Sequence, residues 1–159
     1  MRKPRMSWKP FAGGESSARR GGMTVDIYRI LFAVGMLILL LAVAMLPPLL
    51  VDLLRGSSDW QVFALSMAIT AFTGMMMVLV SRDAATPVMH VREGFLLTLA
   101  SWLAVSLFAA LPYLLRGDLA PASAWFEAVS GLTTTGSTVF TGLDSMPPGI
   151  LLWRSLTQW

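Results

Sequence analysis

The sequence lacks cysteine and contains a single histidine, His90. Without cysteine the chain has no disulfides, no thiolate metal sites and no cysteine nucleophile. With one histidine, a zinc site would have to be built almost wholly from carboxylates, which zinc sites in proteins seldom are. The sequence also shows no nucleophile–base pair and no nucleotide-binding motif. We therefore expect a protein that is not an enzyme.

The sequence is also poor in charge and rich in apolar residues. Charged residues make up 13% of the 159 residues and apolar residues 55%, with a mean hydropathy of +0.67. Soluble proteins carry roughly 25% charged residues, so this composition indicates a membrane protein. Three apolar stretches, residues 27–46, 60–80 and 94–115, are each at least 20 residues long. Because about 20 apolar residues in a helix cross the ~30 Å core of a bilayer, the sequence predicts three transmembrane helices.

The basic residues are concentrated near the N-terminus. Six of the 12 Lys and Arg residues lie within residues 1–25, among prolines, glycines and serines. This pattern predicts a disordered basic tail, with no nucleic acid as partner. The tail and the loop 81–93 together hold eight Lys and Arg, whereas the loops 47–59 and 116–120 hold two. The positive-inside rule then places the N-terminus and the loop 81–93 in the cytoplasm.

A fourth apolar stretch, Pro121–Leu132, has 12 residues. As a helix it would be about 18 Å long at ~1.5 Å per residue, which is too short to cross a bilayer. The hydroxyl-rich residues 133–138, "TTTGST", follow it, and the apolar residues 150–159 come last. A short helix that enters from outside, a turn and a return are typical of a pore loop, which membranes tolerate where it lines a watery cavity. A plain external loop has the same composition, and spacing alone does not separate the two.

Residues 133–136 suit a pore loop chemically. Carbonyl oxygens of such a loop can replace the hydration shell of a cation, and the C-terminus of the preceding helix presents the negative end of its dipole. The β-branched Thr133, Thr134 and Thr135 favour extended backbone and add hydroxyl oxygens. Gly136 allows backbone angles that other residues resist. These four residues form a candidate cation-binding loop.

Two charged residues lie in the apolar segments on either side of this loop, Glu127 before it and Arg154 after it. Ionisable groups within a membrane generally have a functional or paired role. We therefore predict that Glu127 and Arg154 form an ion pair behind the loop, holding the short helix against the next helix. The alternative is that each side chain simply lies in the wet outer region.

Several segments, in order along the chain, resemble the TrkH subunit of bacterial Trk potassium uptake systems, in the Trk/Ktr/HKT superfamily. The match begins near residue 26 with "YRI" and a later "PP". Its other segments are "REGFL" (92–96), "ALPYLL" (110–115), "WFEAVSGLTTTGST" (125–138) and "GLDSMPPGILLWRSLTQW" (142–159). The resemblance implies an all-α membrane protein in which four repeats, each of helix, pore loop and helix, surround one ion path. TrkH members carry two additional helices in front of these repeats.

The resemblance also implies a domain organisation. Residues 1–25 would be the cytoplasmic tail, 26–90 the two-helix N-terminal extension, and 91–159 the first repeat, truncated in its second helix. Residues 121–137 would be a re-entrant pore helix with its filter loop. Because the sequence stops within an apolar half-helix, we expect the N-terminal portion of a longer protein. The alternative is a non-conducting membrane fragment, or an interaction module that associates with full-length subunits.

For function, the resemblance implies potassium ion transport across the bacterial inner membrane without a cofactor. Thr133, Thr134, Thr135 and Gly136 would form one quarter of a potassium selectivity filter, with Thr134 and Thr135 in direct contact with the ion. Besides potassium and membrane lipid, it implies a homodimer of full-length subunits and a TrkA-like cytoplasmic nucleotide-binding regulator as partners.

Overall fold

The computed structural model describes residues 27–82 and 91–159. The predicted cytoplasmic tail, most of the loop 81–93 and His90 lie outside these residues. The described part of the chain is all-helical, and a short 3₁₀ turn, Leu143–Ser145, precedes its last helix. The α-helices are α1 (Ile27–Ala44), α2 (Leu46–Arg55), α3 (Trp60–Ser81), α4 (Val91–Ala109), α5 (Leu111–Arg116), α6 (Pro121–Leu132) and α7 (Pro148–Gln158).

The described residues contain three helical segments long and apolar enough to cross a membrane. They are Ile27–Arg55, Trp60–Ser81 and Val91–Arg116, with mean hydropathies of 2.8, 2.0 and 2.0. The three predicted transmembrane helices are therefore confirmed. The first segment is longer than predicted, because helix continues through most of residues 47–59, which were predicted from the sequence to be a loop.

Two of these three segments are interrupted near their C-terminal ends. Met45 separates α1 from α2, and Ala110 separates α4 from α5. Each break is followed by proline in the first turn of the new helix, at Pro47 and at Pro112. Proline fits there because the first turn needs no intrahelical N–H. The apolar stretches 27–46 and 94–115 are thus not single uninterrupted helices, and proline is the reason.

The first and third helices pack closely at a pair of glycines. A β-carbon at Gly35 would lie 2.9 Å from the β-carbon of Met77 and 3.1 Å from the carbonyl oxygen of Gly74. A β-carbon at Gly74 would lie 3.1 Å from the carbonyl oxygen of Gly35. Small residues let membrane helices approach in this way, since association there depends on close van der Waals packing.

Trp153 of α7 is part of the buried core of the described residues. Trp153 is fully buried, and its indole N–H donates to the carbonyl oxygen of Ala109, 3.1 Å away, beside the break between α4 and α5. Its ring meets that of Phe63 on α3 edge-on, with centroids 6.4 Å apart. One side chain therefore joins α7 to α3 and α4, and satisfies a carbonyl next to the break.

Candidate functional site

The short helix α6 is anchored on α4. It begins at Pro121, as predicted from the sequence, and Ala120 precedes it in extended conformation. The indole N–H of Trp125 donates to the hydroxyl of Ser106 on α4 at 3.1 Å, and Ala128 is fully buried. The helix has 12 residues, which is the length predicted and too short for a transmembrane helix.

The end of α6 is a Schellman motif with threonine in the position that glycine usually takes. The N–H of Thr134 donates to the carbonyl of Gly131 at 2.8 Å, and the N–H of Thr135 donates to that of Ser130 at 3.0 Å. Thr134 has a φ of 55°, the left-handed conformation that this motif requires. For a β-branched residue this conformation is a genuine outlier. Strain of this kind costs about 1–3 kcal/mol and is concentrated at functional sites.

The backbone of Thr133 and Thr134 is therefore not extended, and the expectation of extended backbone is wrong for these two residues. Thr133 has φ −87° and ψ 2°, and Thr134 is left-handed. The hydrogen bonds that terminate α6 outweigh the β-branched preference, since they pair carbonyls that the end of a helix leaves free. Gly136 is left-handed, with a φ of 74°, a conformation that residues with a side chain rarely adopt.

The hydroxyl groups of the loop form a chain of hydrogen bonds. The hydroxyl of Thr133 donates to the carbonyl of Val129 at 2.8 Å, and its oxygen lies 2.8 Å from the hydroxyl of Thr135. Each threonine has a single O–H donor, so Thr135 is the donor in this second contact. The hydroxyl of Thr134 donates to the carbonyl of Thr133 at 2.7 Å. Residues 133–139 are all exposed, which leaves their remaining oxygen lone pairs accessible.

The segment that leaves the loop is held against α6 by Glu127. The carboxylate oxygen Oε1 accepts the N–H of Val139 at 2.6 Å, the N–H of Phe140 at 3.3 Å and the hydroxyl of Thr138. One turn further along α6, the hydroxyl of Ser130 donates to the carbonyl of Ser137 at 2.6 Å. The loop is thus fastened on both of its sides to the helix that precedes it.

The other carboxylate oxygen of Glu127 faces α7. Arg154 Nε lies 3.5 Å from Glu127 Oε2, and both side chains are largely buried, with 13% and 2% of their surface exposed. The guanidinium carbon of Arg154 also lies 5.7 Å from the ring centroid of Phe140. The ring of Tyr113 meets that of Phe140 edge-on, with centroids 5.7 Å apart. The structure therefore brings the two predicted partners together behind the loop.

Several residues of this arrangement were not predicted from the sequence. The roles of Ser130 and Phe140 depend on where the chain returns after the loop. Asp52 was not predicted either; it is a buried carboxylate on α2 that contacts the start of α7. A charged residue in an otherwise apolar segment was the available signal for Asp52.

Together these features define a class of protein. The described chain is an all-helical membrane protein in which a short helix presents an exposed loop of hydroxyl and carbonyl oxygens, supported from behind by an ion pair. Within that class, the chain belongs to the TrkH family. The family model, described as a cation transport protein, matches residues 59–159.

Similar proteins have the same family name. The chain is 42% identical over 137 residues to the Trk system potassium uptake protein TrkH of Halomonas elongata. It is 34% identical over 128 residues to the protein of that name in Escherichia coli K12. These alignments cover 85% and 79% of this chain, but 28% and 26% of the relatives. The chain therefore spans just over a quarter of the length of these relatives.

A solved structure resembles the described fold. The crystal structure of the potassium transporter TrkH from Vibrio parahaemolyticus matches with a TM-score of 0.78 and 34% sequence identity. The match covers 84% of this chain and 29% of that one.

Proposed function

We propose that this chain supplies one of the four selectivity-filter loops of a potassium transport protein in the bacterial inner membrane. The observation that carries the proposal is the oxygen-rich loop 133–136, which follows a helix too short to span and is fastened to it through Glu127. The names of the relatives, which are potassium uptake proteins, support potassium as the ion.

In this proposal α6 is a re-entrant pore helix. Irregular backbone at membrane depth is tolerated where it lines a cavity, and the exposed residues 133–139 would do so. The C-terminal end of α6 lies directly before the loop, so its dipole would favour a cation there.

Thr133, Thr134, Thr135 and Gly136 would be the filter residues, with Thr134 and Thr135 in direct contact with the ion. The backbone angle φ is negative at Thr133 and positive at Thr134. It is outside the positive range at Thr135 and positive again at Gly136. Alternation between left- and right-handed backbone can turn neighbouring carbonyls to one side of the chain. Carbonyls on one side can replace water around a dehydrated cation.

Glu127 and Arg154 would keep this loop in shape without contacting the ion. Glu127 fixes the returning segment through three donors, and Arg154 orients the carboxylate from α7. A filter must hold its oxygens at a set spacing, so residues that fix the loop contribute to selectivity by pre-organisation.

The wider organisation is part of the same proposal. Residues 1–25 would be a cytoplasmic tail, 26–90 a two-helix extension and 91–159 the beginning of the first repeat, with the N-terminus in the cytoplasm. The complete transporter would be a homodimer that binds a TrkA-like cytoplasmic nucleotide-binding regulator. It would need no cofactor, because permeation through a filter requires no covalent chemistry.

Potassium uptake by cells tests the proposal. The gene for this chain, with any coding sequence that follows codon 159, is expressed in a bacterial strain without potassium uptake systems of its own. We expect growth at low potassium and uptake of potassium well above the empty vector. Gly136→Ala should abolish most of this uptake, whereas the matched variant Gly94→Ala should not, because position 94 has open space around it.

Failure of the unaltered gene to support uptake, with the protein present in the membrane, would contradict the proposal. The alternative of a non-conducting fragment or interaction module would then be favoured if the chain co-purified with a full-length TrkH subunit.

A further inference from the structure

A buried carboxylate makes one of the contacts between α7 and the N-terminal extension, residues 26–90. Asp52 lies on α2 and is fully buried. Its Oδ1 accepts a hydrogen bond of 2.8 Å from the backbone N–H of Gly149, 97 positions further along the chain. Gly149 lies in the first turn of α7. A side chain of one helix therefore caps the start of another.

The start of α7 has reason to take its cap from elsewhere. Pro147 and Pro148 have no N–H, and the N–H groups of Ile150 and Leu151 both donate to the carbonyl of Pro147. Gly149 supplies the remaining N–H of this turn, and the apolar ring of Pro147 cannot cap it. A carboxylate is the favoured partner at a helix N-terminus, because it accepts the free N–H and complements the positive end of the dipole.

The contact leaves no room for adjustment. A β-carbon at position 149 would lie 2.5 Å from Cγ of Asp52, so every residue with a side chain would displace the carboxylate. Among the described residues, Asp52 Oδ2 has no hydrogen-bond partner. Burying a carboxylate costs several kcal/mol unless it is paired, so stability alone gives little reason to place one here.

The helix held by Asp52 is the one that supports the loop. Arg154, on the next turns of α7, contacts both Glu127 and the ring of Phe140. Further along, Thr157 packs against Gly131 at the end of α6, where a β-carbon would lie 2.6 Å from the threonine hydroxyl. A shift of α7 would therefore move the contacts behind the loop at two points.

We propose that Asp52 is a positioning residue: by capping α7 it sets the distance between α7 and the loop 133–136, so that the N-terminal extension contributes to ion selectivity. The proposal rests on the proposed function of that loop as a filter. It assigns the two-helix extension a role in transport beyond membrane anchoring.

Three variants of the full gene product test the idea by the ratio of potassium to sodium uptake per molecule in the membrane. Asp52→Asn keeps an oxygen acceptor of the same shape and should keep the ratio within about twofold. Asp52→Leu removes the acceptor and should lower the ratio by about fivefold or more. Gly149→Ala should lower it similarly by displacing Asp52, whereas the control Gly94→Ala should leave it unchanged.

A purely structural role would lower the amount of protein in the membrane but leave the ratio unchanged. An unchanged ratio in Asp52→Leu and Gly149→Ala would therefore overturn the inference. So would an equal loss of selectivity in Asp52→Asn, because that variant retains the cap.

A second measurement keeps the inference testable if the protein transports no cation. Residues 1–159 contain no cysteine. With any cysteine encoded beyond them replaced by serine, the pair Gly131→Cys and Thr157→Cys reports the distance between α6 and α7 by disulfide formation. A β-carbon at position 131 would lie 3.2 Å from that of Thr157, near the separation that a disulfide needs. We expect oxidation to link the pair, as detected by mass spectrometry of proteolytic peptides, and Asp52→Leu to slow it by about fivefold or more.

An unchanged rate of disulfide formation would overturn the inference even if uptake failed. A slowed rate together with absent uptake would support the positioning of α7 by Asp52 and contradict the proposed function of the loop.

Discussion

The carboxylate of Glu127 accepts the backbone N–H of Val139 at 2.6 Å, so the helix that leads into the loop also holds the segment that leaves it. The two residues are 12 positions apart, and the exposed residues of the loop lie between them. This closed arrangement keeps the loop in one shape although its side chains face outward.

Removing the Glu127 carboxylate should impair uptake more than neutralising it. Glu127→Ala leaves the N–H groups of Val139 and Phe140 without their acceptor, and we expect a loss of about tenfold or more in potassium uptake per molecule. Glu127→Gln keeps an oxygen acceptor and should lose less. Uptake normalised to the amount of protein in the membrane measures both.

The ion pair predicts that the effects of two substitutions are not additive. Once Arg154→Met has removed the partner, Glu127→Gln should cost less than it does in the unaltered protein, because the shared interaction is lost only once. Uptake by the two single variants and the double variant measures this coupling. If the double variant loses as much as both single variants combined, the two residues are not paired in function.

Substitutions at the two left-handed residues of the loop, Thr134 and Gly136, should change the stability of the protein in opposite directions. Thr134→Gly relieves the strain of a β-branched residue at φ 55° and should stabilise the protein by about 1–2 kcal/mol. Gly136→Ala introduces such strain at φ 74° and should destabilise it by a similar ~1–2 kcal/mol. Thermal unfolding in detergent measures both.

We also expect both variants to reduce the preference for potassium over sodium, because each alters the backbone that orients the loop carbonyls. A Thr134→Gly protein that is more stable and equally selective would show that the strained threonine has no part in ion binding.

The contact between α1 and α3 should tolerate no side chain at its glycines. Gly74→Ala places a β-carbon 3.0 Å from Leu39 Cγ and 3.1 Å from the carbonyl oxygen of Gly35. The Leu39 side chain can move, but the Gly35 carbonyl belongs to the backbone of α1 and cannot move easily. We expect the unfolding free energy to fall by about 1–3 kcal/mol. Gly94→Ala is the matched control in an open helical position and should be neutral or slightly stabilising. Equal effects of the two substitutions on the thermal midpoint would contradict the close packing.

The hydrogen bond from the Trp153 indole N–H should contribute to the stability of the protein beyond the packing of its ring. Trp153→Phe keeps an aromatic ring against Phe63 but leaves the Ala109 carbonyl without its donor beside the helix break. We expect a loss of about 1–3 kcal/mol in stability. Trp102→Phe, at a half-exposed site on α4, should cost much less. A similar loss at both sites would assign the effect to ring volume.

Apolar length and spacing predicted much of this fold. The three segments that can span and the 12-residue helix Pro121–Leu132 have the positions expected from the sequence. The breaks at Met45 and Ala110 were missed, because proline can either end a helix or begin the next one. The conformation of Thr134 could not be predicted from side-chain preference, since hydrogen bonds at the end of α6 determine it.

Around the candidate site, one contact could be predicted from the sequence and another could not. The pairing of Glu127 with Arg154 could be anticipated because charges are scarce in apolar segments. The contact of Asp52 with Gly149 could not be anticipated, because the two residues are 97 positions apart in the sequence. It also depends on the direction that α2 takes after the break at Met45. Contacts of this range follow from tertiary packing, which local sequence does not encode.

The central claim is that the loop 133–136 binds potassium, and protection of a single cysteine tests it most directly. Residues 1–159 contain no cysteine, and with any cysteine encoded beyond them replaced by serine, Ser137→Cys places one thiol at an exposed position beside the loop. Its rate of reaction with a water-soluble thiol reagent is measured in membranes containing the full gene product. We predict that potassium slows this reaction by about fivefold or more relative to a large organic cation, while a cysteine at the exposed Leu54 reacts at an unchanged rate. Equal rates at position 137 with and without potassium would contradict the account.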